Sequence, residues 1–122
     1  MARVICDTSF LIHLATRRIT NIDGIEMEIG PVTFVVPEVV RNELARLCDD
    51  PLKKNDAEAT IKHVSGLETV PMNGRFADDG LLEHARMHHS IIGTMDRELK
   101  RQVKEAGGSV MSFWNDRIVL ES

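Results

Sequence analysis

The sequence predicts an α/β fold: a three-layer α/β/α sandwich with a central parallel sheet. Short apolar stretches alternate with helical stretches of about 10 to 12 residues, an order typical of parallel strands joined by helices. The length of 122 residues suits one core, so we expect a single domain spanning residues 1–122. No internal repeat, low-complexity tract or Pro/Ser-rich linker divides the chain.

Each predicted element follows from a local pattern. The first strand, ARVIC, is apolar on both faces, as a buried parallel strand should be. Helical spacing of apolar residues predicts the helices, and glycine and proline mark where elements stop. We expect Pro37 in the first turn of one helix and Asn55 or Asp56 as the cap of the next. The elements are strand 2–6, helix 8–18, a weak helix within 19–29 broken at Gly24, strand 33–36, helix 37–48, helix 55–65, strand 68–71, a loop through Asn73-Gly74, helix 78–89, strand 91–94, helix 96–106 and strand 109–113.

The composition is that of a soluble globular protein, with 43% hydrophobic and 28% charged residues. No apolar run approaches the roughly 18 residues of a membrane span, and the N-terminal stretch carries no signal-peptide pattern. We therefore expect a cytoplasmic protein without a membrane segment, in which Cys6 and Cys48 stay reduced as small core residues. The net charge of −4 neither indicates nor excludes nucleic-acid binding, since affinity depends on where basic residues cluster.

Two acidic residues follow predicted strands. Asp7 ends the run VICD, and Asp96 comes shortly after a strand in IIGTMD. Ligands of open α/β sheets bind at the carboxyl ends of the strands, where both carboxylates would lie. Each aspartate alone is explained equally well as a helix N-cap, but two such acids on two strands favour a site.

A helical stripe places a third acid. Glu43 falls on the same face of its helix as Val40, Leu44 and Leu47. A carboxylate along a core-facing stripe costs free energy unless something pairs with it. Either Glu43 lies at the rim of the stripe or pairs with an arginine, or it belongs to a polar site.

The segment ADDGLLEHA places a fourth acid. Asp78 precedes Leu81 and Leu82 by three and four residues, so it shares their core-facing side. Asp79 is rotated by about 100° toward solvent. We predict Asp78 as the working acid and Asp79 as a cap or auxiliary ligand.

Four carboxylates at one sheet edge suit divalent cations. Hard ions such as Mg²⁺ and Mn²⁺ choose oxygen ligands, and a bound cation relieves the repulsion between the carboxylates. Such ions also activate water and stabilise the leaving oxygen when a phosphodiester is cleaved. Many other acidic edges would have a similar spacing, so spacing alone does not single out this chemistry.

Four short blocks of the sequence resemble the PIN-domain nucleases in order and spacing. The first acid of that family falls on Asp7, its helix glutamate on Glu43, its third acid on Asp78, and its fourth on Asp96, within a T-x-D pattern that begins at Thr94. The ending KEAGGSVMSFWNDRIVLES is most similar to archaeal relatives of the PIN nucleases that process small-subunit ribosomal RNA, with VapC-type toxins next. The blocks are VICDTSF at 4–10, VPEVVRNEL at 36–44, ADDGLLEHA at 77–85 and GTMDRELKRQVKEAG at 93–107.

The resemblance implies a Mg²⁺- or Mn²⁺-dependent endoribonuclease that hydrolyses RNA and leaves a 5′-phosphate and a 3′-hydroxyl. Candidate partners besides RNA are a ribosome-assembly factor, an antitoxin and a second copy of the chain. The family often has asparagine two residues after its first acid, where this chain has Ser9. The Ser9 hydroxyl can still hydrogen-bond an acid or a metal-bound water, and we expect Thr94 to help in the same way.

The helix that begins at Asp96 carries a basic stripe. Four basic residues recur at i, i+3, i+4 and i+7, a spacing that predicts phosphate contacts positioning RNA. The nearby Glu98 and Glu105 fit an ordinary solvated helix face equally well. Trp114 is the aromatic residue to examine for exposure, and the scattered histidines predict no zinc site. The stripe consists of Arg97, Lys100, Arg101 and Lys104.

Competing functions remain open. A catalytically silent PIN-like module in ribonucleoprotein assembly would keep the acids without turnover. A receiver-like signalling domain also gathers acids at a sheet edge, but it would normally have a lysine after a late strand, and none follows SVMSF. A phosphatase with an aspartate nucleophile would need a second aspartate where Ser9 stands.

Overall fold

The computed structural model describes residues 2–72, 77–88 and 90–122. For Ala77 and Asp78 it describes the backbone only. This part of the chain contains six strands and six helices. The strands are β1 (Ala2–Cys6), β2 (Val32–Pro37), β3 (Glu68–Val70), β4 (Ile91–Gly93), β5 (Ser109–Trp114) and β6 (Arg117–Glu121). The helices are α1 (Thr8–Thr16), α2 (Ile22–Ile29), α3 (Glu38–Leu47), α4 (Lys54–Val64), α5 (Ala77–His88) and α6 (Arg97–Glu105).

The described strands form one sheet in the order β3-β2-β1-β4-β5-β6. The first five are parallel, and β6 pairs with β5 in the antiparallel orientation. The chain steps outward from β1 to β3 on one side and from β4 to β6 on the other, so the strand order reverses between β1 and β4. In doubly wound sheets such a reversal opens a ligand-binding crevice at the carboxyl ends of the two neighbouring strands.

Alternate residues of β1 belong to two separate cores, one on each face of the sheet. Val4 and Cys6 pack with Phe10 of α1 and with residues of α3 on one face. Ile5 packs on the other face with Leu81 of α5 and with residues of α6. The sheet therefore lies between two helical layers, and the predicted α/β/α sandwich is confirmed.

A glycine allows α1 to lie close to the end of β4. A Cβ atom on Gly93 would stand 3.0 to 3.1 Å from ring atoms of Phe10. That ring is fully buried and stacks on Phe113 with centroids 4.7 Å apart. The missing side chain thus brings the start of α1 to the edge where Cys6 of β1 pairs with Gly93.

Three details of the helices differ from the sequence prediction. Helix α2 continues through Gly24. Gly24 faces open space, so the glycine destabilises the helix only through its weak helix propensity. Pro37 is the last residue of β2 and precedes α3 instead of occupying its first turn. Lys53, not Asn55 or Asp56, is the residue before α4, and its side chain makes no capping hydrogen bond.

The tail after Trp114, for which the sequence gives no firm prediction, forms β6. A turn at Asn115 and Asp116 reverses the chain, and Trp114 pairs with Arg117 across it. Asn115 adopts a φ of 54°, a left-handed conformation that asparagine tolerates better than most residues. The sheet is therefore parallel except at this edge.

The remaining predictions concern single residues and segments. Cys6 is buried, Cys48 is half-buried, and both thiols are free, as predicted. The predicted loop through Asn73 and Gly74 lies outside the described residues. Within the described helices, none combines the length and apolar character needed to cross a membrane.

Candidate active site

Asp7 lies directly after β1 and is held by several hydrogen bonds. Its backbone N–H donates to the carbonyl of Gly93 at 2.9 Å, which continues the pairing of β1 with β4. Its Oδ1 accepts hydrogen bonds from the N–H of Phe10 at 2.8 Å and from Oγ of Ser9 at 3.0 Å. Its Oδ2 accepts a hydrogen bond from Oγ1 of Thr94. Only 6% of the residue is exposed, so these contacts fix the orientation of the carboxylate.

Thr94 connects Asp7 to Asp96. Its fully buried Oγ1 donates to Asp7 and accepts the backbone N–H of Asp96 at 3.1 Å. The carboxylate of Asp96 in turn accepts the N–H of Leu99 through Oδ1 at 2.9 Å. One hydroxyl group therefore joins the two strand-end acids at the point where the strand order reverses.

Both aspartates are helix N-caps, as the simpler interpretation of each one predicts. Asp7 caps α1 and Asp96 caps α6, each through its Oδ1 atom. A cap occupies one carboxylate oxygen only. Asp96 is exposed, and its Oδ2 accepts no hydrogen bond from the described residues. Capping thus explains where these side chains stand and leaves an oxygen of Asp96 open to a ligand.

Replacing Thr94 with valine is expected to lower the free energy of unfolding by about 1–3 kcal/mol, because buried groups lose their hydrogen-bond partner. The Asp96 N–H would lose its acceptor, and Oδ2 of Asp7 would lose a donor. Urea unfolding of the two proteins measures the difference.

Thr60→Val is the matched control for this substitution. Thr60 is also fully buried, but its Oγ1 donates to the carbonyl of Asp56, which the α4 backbone already uses. Its loss should therefore cost less than about 1 kcal/mol. Equal losses for Thr60→Val and Thr94→Val would show that Thr94 has no special role in holding the two acids.

Glu43 lies on α3, which begins where β2 ends. Val40 and Leu44 on the same helix face are fully buried, whereas Glu43 is half-buried at the rim. Glu43 makes no hydrogen bond or ion pair with any side chain that the structure describes. Among the described residues, then, no arginine pairs with Glu43. Arg41, the arginine of the first turns of α3, instead donates to backbone carbonyls of α4 and the turn that follows it.

Asp78 is the second residue of α5, and its side chain lies outside the described part of the chain. Asp79 is exposed, while Leu81 is fully buried on the opposite side of the helix. The solvent-facing orientation predicted for Asp79 is thus observed. The core-facing orientation of Asp78 stays a prediction.

The donor atoms at this edge fit a hard divalent cation. Carboxylate oxygens, with the hydroxyls of Ser9 and Thr94 behind them, are the donors that Mg²⁺ and Mn²⁺ prefer. The neighbouring thiol of Cys6 is an unsuitable ligand, because full burial and the negative charge of Asp7 raise its pKa.

The described residues supply only part of such a metal site. In residues 2–72, 79–88 and 90–122, no three His, Cys, Asp or Glu side chains stand close enough together to hold a metal. Asp7 and Asp96 are brought together through Thr94. A complete site would need Glu43 to approach this edge and Asp78 to face it.

Most residues of the basic stripe predicted on α6 form ion pairs with acids. For Arg101 the partners are Glu98 and Glu105, as expected for an ordinary solvent-exposed helix face. The Arg101 guanidinium contacts Glu98 and lies 2.6 Å from Oε1 of Glu105. These hydrogen bonds raise the pKa of Arg101. The hydrogen bond from Arg101 lowers the pKa of Glu98. Because two carboxylates already surround it, this guanidinium is a poor phosphate ligand.

Lys100 and Lys104 are paired with an acid that is distant in sequence. Nζ of Lys104 donates to Glu121 of β6 at 2.8 Å, and Nζ of Lys100 lies 3.7 Å from the same carboxylate. The hydrogen bond from Lys104 lowers the pKa of Glu121, which also accepts Oγ of Ser112. These lysines fasten α6 to β6. Arg97 is exposed and is the member of the stripe without an ion pair among the described residues.

His84 and His88 lie against each other on α5. The rings of His84 and His88 have centroids 4.5 Å apart, and Nδ1 of His84 is 2.7 Å from Oγ of Ser90. Burial, with the neighbouring His88 as the second cause, lowers the pKa of His84. With Met72 and other residues they line a cleft of about 200 Å³. The contact between these two rings adds to the sequence prediction, which treats His84 as isolated.

A cleft of about 410 Å³ next to Ser9 has no counterpart in the sequence prediction. It lies between α1 and the start of α4, which are brought together only by the fold. One of its walls is His13, whose ring stacks on Phe113 with centroids 4.3 Å apart. The lining residues are Ser9, Ile12, His13, Thr16, Arg17 and Asp56.

Comparisons with known proteins identify a family and similar structures. The profile of a family described as a PIN like domain matches residues 4–115. The PIN domain endonuclease Utp24 has a TM-score of 0.76 and 23% sequence identity, covering 98% of this chain and 90% of that chain. A domain of a functionally unknown protein from Methanocaldococcus jannaschii DSM 2661 has a TM-score of 0.57 at 18% identity, covering 93% and 92% of the two chains. PAE2754 from Pyrobaculum aerophilum has a TM-score of 0.54 at 18% identity, covering 89% and 83%. No curated protein matches the sequence.

Proposed function

Since the chain belongs to the PIN-like domain family, we propose that it is a divalent-metal-dependent endoribonuclease. The observation that carries this proposal is the hydrogen-bond chain from Asp7 through Thr94 to Asp96. It holds the carboxylate of Asp7 and the backbone of Asp96 together just beyond the carboxyl ends of β1 and β4, the edge at which sheets of this topology bind their ligands. A phosphodiester, which is itself negatively charged, can approach two carboxylates only if a cation lies between them.

Asp7 and Asp96 would hold Mg²⁺ or Mn²⁺ together with Glu43 and Asp78. Asp79, the next residue after Asp78, would be an auxiliary acid. When bound, such ions activate water and stabilise the leaving oxygen of a phosphodiester. The half-buried carboxylate of Glu43, unpaired among the described residues, supports its part in this set.

The chain's own residues keep the acids in place before the substrate arrives. Oγ of Ser9 and Oγ1 of Thr94 each donate to a different oxygen of Asp7. The N–H of Phe10 adds a third donor, so three hydrogen bonds hold the carboxylate in one orientation. Donors and acceptors fixed in advance need no reorganisation during the reaction.

We expect the purified protein to cleave an unpaired oligoribonucleotide only when Mg²⁺ or Mn²⁺ is present. EDTA should stop cleavage, and added ion should restore it. Hydrolysis by water should leave a 5′-phosphate and a 3′-hydroxyl, which end-group analysis of the products identifies. Cleavage that persists in EDTA, or products with a cyclic 2′,3′-phosphate, would contradict the proposal and indicate attack by the RNA's own hydroxyl.

For the biological role we propose processing of ribosomal RNA in the cytoplasm, with a ribosome-assembly factor as partner. The C-terminal segment 104–122, which carries this resemblance, forms the end of α6 with β5 and β6. Over 98% of its length the chain also shares its fold with the PIN domain endonuclease Utp24. A VapC-type toxin would arrest growth when expressed without an antitoxin, and Asp7→Asn would relieve the arrest. Unimpaired growth with altered ribosomal RNA precursors is the result expected for a processing enzyme.

A further inference from the structure

The hairpin of β5 and β6 exposes the chain's single tryptophan at the same edge of the sheet as the two acids. Trp114 is the last residue of β5, and 74% of it is exposed. Strand β5 continues for three residues beyond Met111, which pairs with Gly93 at the end of β4. Trp114 therefore extends past the carboxyl end of β4, after which Asp96 follows, and contributes little to either core.

The hairpin register places a cation next to Trp114. Arg117 is its direct partner in β6, so both side chains project from the same face of the sheet. Ser112, two residues before Trp114, and Glu121, four residues after Arg117, share that face, and Glu121 contacts lysines of α6. This is therefore the face that α6 covers. Arg117 is exposed and forms no ion pair with any residue in the described ranges.

Helix α6 brings a second cation that has no ion pair with the described residues to the same end of this face. Arg97 is the first residue of α6, immediately after Asp96. Lys100, one turn further along, already contacts β6 through Glu121. Because α6 starts at the carboxyl end of the sheet and runs back toward the start of β5, Arg97 lies nearer that end than Lys100 does. Lys100 and Lys104 thus contact Glu121, whereas Arg97 directly follows Asp96 and Arg117 pairs with Trp114.

We propose that Trp114, Arg117 and Arg97 form a site for one unpaired RNA base and the phosphates that flank it. This inference rests on the proposed function and specifies how the substrate is held. The face of an exposed indole stacks on any base, and an arginine fork matches a phosphate. Arg97 is the only member of the α6 stripe in this site, because carboxylates among the described residues engage Lys100, Arg101 and Lys104.

Tryptophan fluorescence reports whether a ligand binds at Trp114, because the chain contains one tryptophan and no tyrosine. We expect an unpaired oligoribonucleotide, added in EDTA to prevent cleavage, to quench the tryptophan fluorescence to saturation. An abasic strand with the same number of phosphates should bind without quenching, and a duplex of the same length should quench little. Equal quenching by the abasic strand or by the duplex would overturn the site.

Substitutions separate the stacking contribution from the charge contribution. Trp114→Ala should weaken binding of a labelled unpaired strand, measured by fluorescence anisotropy, by about tenfold. Trp114→Phe should keep most of the affinity. Met27→Ala, which removes a side chain of similar exposure (89%) from α2, should change nothing. Arg117→Ala should lower the affinity and the dependence on salt, whereas Arg101→Ala should leave both almost unchanged.

The two proposals fail in different ways. If Trp114→Ala binds unpaired RNA as tightly as wild type while metal-dependent cleavage persists, the base site is wrong and the nuclease assignment stands. If Asp7→Asn cleaves as fast as wild type, the nuclease assignment is wrong. The quenching by unpaired and abasic strands then still decides whether Trp114 binds a base.

Discussion

Asp7→Asn is expected to reduce metal-dependent RNA cleavage by at least about 100-fold while the fold survives. Asparagine lacks the negative charge but keeps Oδ1, so it can still accept the N–H of Phe10 and cap α1. The Thr94 hydroxyl can turn to accept the new amide group. Asp96→Asn should have the same effect for the same reason, since its cap to Leu99 also needs Oδ1 alone. Single-turnover cleavage rates measure the loss, and circular dichroism verifies the fold.

Asp50→Asn is the matched control for both substitutions. Oδ1 of Asp50 also accepts a backbone N–H, that of Leu52, at 2.9 Å, but in the turn between α3 and α4. This variant should cleave at the wild-type rate. If Asp7→Asn and Asp96→Asn did so too, in protein free of contaminating ribonuclease, the carboxylates would have no part in catalysis.

Saturating Mn²⁺ is expected to raise the thermal midpoint of the wild-type protein by roughly 10 °C. An ion that binds only the native state stabilises it by mass action, by about 2.7 kcal/mol at 100 times its Kd, and that gain sets the scale of the shift. Asp78→Asn and Glu43→Gln should each remove most of the gain, because each deletes one charged ligand. Thermal unfolding with and without Mn²⁺ provides the measurement.

Neighbouring acids on other helix faces supply the controls. Asp79 adjoins Asp78 and is exposed, and Glu38 lies in the first turn of α3 and is exposed. Asp79→Asn and Glu38→Gln should therefore keep most of the Mn²⁺ gain. A gain lost in Asp79→Asn but kept in Asp78→Asn would move the site to the other side of α5.

The strand-end acids were predictable because they depend on local order and one rule of topology. VICD and IIGTMD each place an acid just past an apolar strand, and parallel strands end at the same edge. The structure adds the bridge through Thr94, which no spacing in the sequence reveals, because residues 7 and 94 meet only after β1 and β4 pair.

For Glu43 and Asp78, the periodic spacing of apolar residues along the helix predicted less. It correctly places Glu43 at the margin of a buried stripe and Asp79 toward solvent. Phase gives the direction of a side chain around its own helix axis, but not how far that helix stands from the sheet edge. For this reason the membership of Glu43 and Asp78 in the site stays a prediction.

The ion pairs on the charged face of α6 could be predicted only where both partners are close in sequence. Glu98 and Glu105, the local partners of Arg101, are visible in the sequence as i+3 and i+4 neighbours. Glu121, which neutralises two lysines, comes from an antiparallel strand for which the tail of the sequence gives no firm prediction. That same strand sets Arg117 beside Trp114, so the base site that we propose could be inferred only once β6 was known.

We expect the carboxylates at the ends of β1 and β4 to hold a divalent metal ion. Calorimetric titration of Mn²⁺ into the wild-type protein and into the Asp7→Asn/Asp96→Asn double variant measures this binding. We predict saturable binding by the wild-type protein and no detectable binding by the folded double variant. The same binding isotherm for both proteins would contradict the claim.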